Sequence, residues 1–491
     1  MSPLPRSVVA PLILLMVGCG GNADQPPPDR QALLDSQACQ ACHPTHYDEW
    51  ASSMHAYASD DPVFMAMNRR GQRETAGALG DFCVKCHAPM ALREGQTHNG
   101  LNLDDVPRTY KGVTCYFCHS IESVTQSHDN PLTLVTDGAM LGPITDPVAT
   151  SFHLSRYSKL LDSTRTEATA ACGSCHDIVN TKGTAIERTF AEWRGSLFAN
   201  TDLGQGCGGC HLNGRDGVVA ASNTTRVRRV HDHSMPGVDV ALTPWPGIEN
   251  QKKLIADRLG DAAQGALCLD ERNNRIVVIL DNVGAGHDWP SGAASDRRVW
   301  VEVVAYAGGQ VIYQTGVVPQ GSTVDMLDDP DLWMIRDCFF DESGHDVHMF
   351  WQAARYTSNL LPPAPFIGPG VRPMPRGHYR WDVPRPDSMR TLPDVPDRIT
   401  MRVHIRAVGE EVIKDLIDSG DLAPEYAGKI PTFAVSGGTV EWTRDSPDRI
   451  PSFVERGSVL SCVAPTRPFT TITNPTISQA RCDPAAVGNP P

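Results

Sequence analysis

Gly112-Val113-Thr114-Cys115-Tyr116-Phe117-Cys118-His119-Ser120 decides the reading of this chain, because the pattern at its centre recurs four more times. The other copies are Cys39-Gln40-Ala41-Cys42-His43, Cys83-Val84-Lys85-Cys86-His87, Cys172-Gly173-Ser174-Cys175-His176 and Cys207-Gly208-Gly209-Cys210-His211. Two thiols three positions apart, followed at once by an imidazole, form the attachment pattern of a c-type haem. One helical turn separates the thiols, so both reach the vinyl groups on one porphyrin edge while the His binds the iron. The pattern predicts five covalently attached haems c, with His43, His87, His119, His176 and His211 as proximal ligands. Zinc is a poorer reading: five CxxC units cannot pair off, and zinc needs no His after every second Cys. A thioredoxin-like pair would sit in a βαβ setting that the flanking residues lack.

The rest of the chain agrees with an exported electron carrier. Its 491 residues exceed one ordinary core and imply at least two domains. A hydrophobic content of 41% with 20% charged residues describes a globular protein. The net charge of -14 excludes a nucleic-acid partner, whose phosphates demand a basic face. Redox proteins of the cell envelope and small molecules are the expected partners.

Residues 1–18 read as an export signal, with Arg6 as the only charge and Val8 to Val17 as the apolar stretch. Leu15-Met16-Val17-Gly18-Cys19 resembles a bacterial lipobox, so Cys19 is the expected lipidation site and membrane anchor. The alternative is plain cleavage with an unmodified Cys19. Residues 19–38 form a Gly/Pro-rich tether. The expected location is the envelope of a Gram-negative-type bacterium, either periplasmic or at the outer membrane. In an oxidising compartment, the remaining Cys268, Cys338, Cys462 and Cys482 predict two disulfides. Cys462 with Cys482 and Cys268 with Cys338 is the expected pairing.

Residues 39–263 are expected to be short helices and irregular connections cored by the haems, closing with a helix from Ile248 to Ala263. The texture then changes. Arg275 to Leu280, Arg298 to Tyr306, Gln310 to Tyr313 and Ile399 to Val408 read as strands, with a hairpin at Gly308-Gly309. Phe433 to Trp442 reads as a second hairpin around Gly437-Gly438, and Glu410 to Leu422 as an inserted helix. The predicted class is a multidomain chain. A haem-cored, mostly α and irregular cytochrome domain precedes an all-β sandwich-like domain at 267–460 and a Pro-rich tail at 461–491.

Seventeen histidines leave twelve beyond the motifs as possible sixth ligands. His55 follows Trp50, His153 follows Gly142-Pro143, and His231 and His233 flank Asp232. His287 lies in Gly284-Ala285-Gly286-His287-Asp288-Trp289-Pro290, where glycines let backbone approach a planar cofactor. His128 and the thioethers of Met54, Met90, Met140 and Met235 are further candidates. His46, three residues beyond His43, reads as a polar neighbour. His98, His345, His348, His378 and His404 read as structural.

Several stretches carry a specific resemblance. Trp50 with Ser53-Met54-His55-Ala56, Gly112 to Ser120, Gly142-Pro143 with His153, Cys172 to Asp177 and Phe190-Ala191-Glu192-Trp193 resemble multihaem cytochromes of the c-554 type. Leu280 to Trp300 resembles the start of the β-domain often appended to them. The resemblance implies distal ligation by His55, His153, one of His231 and His233, and His287. The repeat departs at Trp193-Arg194-Gly195-Ser196-Leu197-Phe198, where Leu or Phe replaces the His that follows Trp50. One iron is thereby left without an evident sixth ligand. Electron transfer is the expected function. The alternatives are a reductase or oxidase of a small nitrogen or sulfur compound at an open haem, and a structural part of an extracellular redox complex or filament.

Overall fold

The computed structural model describes residues 29–126, 128–148, 150, 152–200, 204–221, 226–363, 379–385, 390–446 and 460–463. The expected signal segment, Cys19, His378 and Cys482 lie outside the described residues. No helix among the described residues is long and apolar enough to cross a membrane.

The first half is built from short helices and irregular connections, and every motif forms a single helical turn. His43 N donates to Cys39 O at 2.8 Å, His87 N to Cys83 O at 3.2 Å and His176 N to Cys172 O at 3.1 Å. Cys115–His119 and Cys207–His211 are short helices. A 13-residue helix, Pro62–Glu74, starts where the Asp61 carboxylate accepts Val63 N at 2.9 Å and proline fills the first turn. It presses on the second half at Gly71, where a Cβ would sit 2.5 Å from Leu79 and 3.1 Å from Trp351. A separate apolar cluster of Leu34, Met90, Tyr116, Phe117, Ile121 and Leu132 packs around the third motif.

The helix Ile248–Ala262 runs straight into the strand Ala263–Asp270. This strand was not expected. Its Gln-Gly-Ala opening has weak strand propensity, and burial on both faces forms it instead. It lies inside a four-stranded sheet in the order Tyr379–Val383, Arg275–Asn282, Ala263–Asp270, Leu460–Val463. A second sheet runs Gln310–Thr315, Arg298–Ala307, Arg398–Arg406, Thr432–Thr443, with Trp333–Ile335 paired to Arg298–Ala307. The sheets pack through one apolar core that holds Leu267 and Val278 from one, and Val301, Val403 and Val435 from the other. The Gly308-Gly309 turn is a hairpin, whereas Gly437-Gly438 is not. Thr432–Thr443 is continuous with a bulge opposite Met401 and Val403. A Cβ on Gly437 would lie 2.3 Å from Ala263 O, and one on Gly438 would lie 2.5 Å from Val403. These glycines permit close approach, not reversal.

The tail expected from residue 461 begins within a strand, and this alters the disulfides. Leu460–Val463 pairs antiparallel with Ala263–Asp270 so that Cys462 faces Cys268, and the two are disulfide-bonded with Cα atoms 4.0 Å apart. The expected Cys462–Cys482 and Cys268–Cys338 pairs are therefore wrong. Cys338, itself disulfide-bonded, belongs to a different sheet, paired with Arg355–Ser358.

The two halves share a polar seam. Arg188 pairs with Asp337 at 2.8 Å, Arg70 with Asp415 at 3.0 Å and Arg73 with Asp421. Trp351 Nε1 donates to Glu74 Oε2 at 2.9 Å. Asn180 Nδ2 donates to the carbonyls of Phe350 and Ala353 at 2.8 Å.

Candidate haem and iron-ligand sites

Ligation of iron by a motif histidine requires its Nε2 free, so Nδ1 must be held elsewhere. All five motif histidines meet this condition. His43 Nδ1 bonds the Val219 carbonyl at 2.7 Å, His87 that of Ala58 at 3.2 Å, His119 that of Leu141 at 2.6 Å and His211 that of Pro236 at 3.0 Å. His176 differs: its Nδ1 donates to the Glu187 carboxylate at 3.0 Å.

An iron held between two imidazoles separates their ring centres by about 6.4 Å. Two metal–nitrogen bonds contribute about 2.0 Å each, and each nitrogen lies about 1.2 Å from its ring centre. Four of the five motif histidines face another imidazole at this spacing. His43 and His153 stand 6.3 Å apart, His55 and His176 6.2 Å, His119 and His233 6.3 Å, and His211 and His287 6.5 Å. Burial pushes His55 down to about 3 and His119, His211 and His233 to about 4. It also lowers His87, His153 and His287. The neutral imidazole is the metal-binding form.

Local structure explains each placement. The helix Met54–Tyr57 starts at Ser53, whose hydroxyl accepts Ala56 N at 3.3 Å. Val113 N donates to His55 O at 2.8 Å, and Trp50 Nε1 donates to Val113 O at 2.8 Å. The stretch before the third motif thus clamps the segment carrying His55. Ala58, just after that helix, holds His87. The parallel strands Ala139–Gly142 and Leu154–Tyr157 serve two motifs at once, since Leu141 O holds His119 and His153 immediately precedes the second strand. Phe198 packs 3.2 Å from the Cβ position of Gly286, the residue before His287, which stands opposite His211.

Other expected residues fall elsewhere. His231 is not opposed to a motif histidine: its Nδ1 bonds Leu212 O at 2.6 Å and its Nε2 meets Ser163 Oγ at 3.0 Å, so both nitrogens are occupied. His128 pairs with Asp129 at 3.0 Å. Met90 is in the apolar cluster, and Met54 sulfur accepts Gln251 Nε2 at 3.9 Å. His46 lies edge-on to both His43 and His233, at 6.1 and 5.0 Å. His345, His348 and His404 lie against the carboxylates of Asp341, Glu411 and Glu302. His87 faces no second imidazole among the described residues; the Phe64 ring stacks on it at 4.0 Å.

The thiols of different motifs lie together. Cys39 stands beside Cys115, Cys86 beside Cys175 and Cys172 beside Cys207. Cys42 is disulfide-bonded. The donor set of paired thiols, adjacent imidazoles and opposed second imidazoles fits covalently bound haem. Sequence reasoning missed Glu187 and the carbonyls of Ala58, Leu141, Val219 and Pro236. Carbonyls carry no residue-type signal, and Glu187 lies eleven positions beyond the histidine that it serves.

Residues 38–120 match the family described as cytochrome c554 and c-prime. No curated protein matches the chain. The fold is similar to that of a penta-haem cytochrome c552 from Thermochromatium tepidum, with a TM-score of 0.55 and 18% identity over 83% of this chain and 98% of that one. The family match is confined to residues 38–120 and the structural likeness shows a shared fold; both agree with the five CxxCH motifs and with the β-region that follows them.

Proposed function

We propose that the chain binds five haems c and relays electrons between redox proteins outside the cytoplasm, anchored to the membrane through Cys19. The observation that carries this reading is the set of four histidine pairs, each uniting a motif imidazole with one from a distant segment at the spacing of a six-coordinate iron. The bound haems supply reversible one-electron chemistry. The chain fixes their ligands, tautomers and neighbours. The thiol contacts join the first motif to the third, the second to the fourth and the fourth to the fifth, and Cys118 lies close to Cys172 and Cys175. The five attachment sites thus form one connected set with the fourth at its branch point. That is the arrangement a relay needs.

Intact-mass measurement of natively produced protein tests both covalent claims. The expected mass includes five haems and a lipidated Cys19, and a shortfall of even one haem overturns the count. Paramagnetic resonance should show at least four low-spin irons, one for each histidine pair.

A second reading, reduction or oxidation of a small nitrogen or sulfur compound, is favoured by His87 alone, which has no opposed imidazole among the described residues. Carbon monoxide binding by one haem of the reduced protein, together with reoxidation by nitrite or sulfite, would support it. Uniformly low-spin, carbon-monoxide-inert haem would end it.

A further inference from the structure

The five motif histidines are held by unequal partners. Four donate Nδ1–H to backbone carbonyls, which are neutral acceptors. His176 alone donates to a carboxylate, Glu187 Oε1, at 3.0 Å. Glu187 ends the strand Ala185–Glu187, which pairs with Ile178–Val179 immediately after the motif, so a two-stranded ribbon folds the carboxylate back onto the histidine. Its side chain is about four-fifths buried, 21% exposed.

Arg297, from the segment leading into the β-domain, stands beside Glu187. The Cβ position of Gly292 lies 3.1 Å from Arg297 Nη2 and 3.8 Å from Glu187 Oε1. Arg297 is fixed in turn by Ser291 O at 2.8 Å and Asp239 at 3.3 Å. The charged or titratable groups facing Glu187 are therefore His176, Arg297 and His87.

We infer that Glu187 is a positioning residue that makes the iron bound by His176 the most reducing of the five. A carboxylate on Nδ1–H draws the proton away from the ring, makes Nε2 a stronger donor and stabilises the oxidised iron over the reduced one. A carbonyl does this more weakly, because charge-assisted hydrogen bonds are roughly twice as strong as neutral ones. The inference rests on the proposed axial role of His176 and gives it a direction: the branch point of the attachment sites holds electrons least tightly and passes them to its neighbours.

Potentiometric titration of the five-haem protein, followed by optical spectra, compares wild type with Glu187→Gln and Glu187→Asp. In Glu187→Gln, one potential, the lowest, should rise by the equivalent of at least a tenfold change in reduction equilibrium, about 59 mV for one electron. Glu187→Asp should restore most of that shift. Intact mass separates the two claims, because a wild-type protein lacking five haems would sink the haem reading itself. If all five are present, unmoved potentials in Glu187→Gln overturn the inference, as do equal shifts at several haems. Loss of one haem from Glu187→Gln would also overturn it, by making Glu187 a structural support.

Discussion

Gly112→Ala is the sharpest perturbation of the site that replaces no ligand. Gly112 has φ +70°, a backbone conformation disfavoured by about 1–2 kcal/mol for a residue with a Cβ. The added carbon would also lie 2.6 Å from Ala56 O and 2.7 Å from His55 O, well inside van der Waals contact. Backbone must move, and it cannot do so without stretching Val113 N to His55 O or Trp50 Nε1 to Val113 O, both 2.8 Å. Each is worth about 1 kcal/mol. The total is about 2–4 kcal/mol, which lowers the midpoint of thermal unfolding by roughly 2–4 °C when the 491 residues unfold together. Because the strain falls on the carbonyl of His55, the imidazole opposite His176 should shift as well. Thermal unfolding of the purified holoprotein reads the first effect, and paramagnetic resonance reads the second as one low-spin signal turning partly high-spin. A Gly112→Ala protein with wild-type stability and four intact low-spin signals would refute the clamp.

Three further outcomes follow from the same geometry. His233→Ala should convert one iron to high spin, whereas His231→Ala should leave every iron unchanged; the reverse result would exchange their roles. Cys268→Ser should lower stability by about 2–5 kcal/mol in denaturant titration, because the Cys268–Cys462 bond closes a 194-residue separation. Burial pushes the Asp61 carboxyl up to about 7, so the folded state holds that proton more tightly than the unfolded one. The stability involved is full below the ordinary carboxylate value and is lost as pH rises to about 7. Asp61→Asn, which can keep the cap on Val63 N, should flatten that slope and be the more stable protein at pH 8; an unchanged slope would remove Asp61 as its source.

The local parts of this molecule were legible and the long-range ones were not. Spacing alone placed two thiols and an imidazole on one turn, because helix geometry is set within five residues. The strands around Val299 and Val403 could be read from β-branched and alternating residues. Ala263–Asp270 could not, since its strand state comes from neighbours on both sides. The Gly437-Gly438 pair misled because glycine serves both reversal and close approach, and only the carbonyl of Ala263 decides between them. Resemblance pointed to His55, His153 and His287. Choosing His233 over His231 needed the Leu212 carbonyl and the Ser163 hydroxyl, which occupy the rival ring.

His287 follows the helix Ile248–Ala262 in the sequence, and the opposed pairs overlap along the chain: 43 with 153, 55 with 176, 119 with 233, 211 with 287. On the proposed assignment, a polypeptide emerging from its amino terminus reaches each attachment motif long before the matching imidazole exists, except at the fourth, whose partner is already waiting. Completion of the irons is therefore staggered, and the last one closes only when the chain has been made as far as residue 287. On that assignment, a chain clipped after residue 263 would carry every attachment sequence and still leave its fifth centre open.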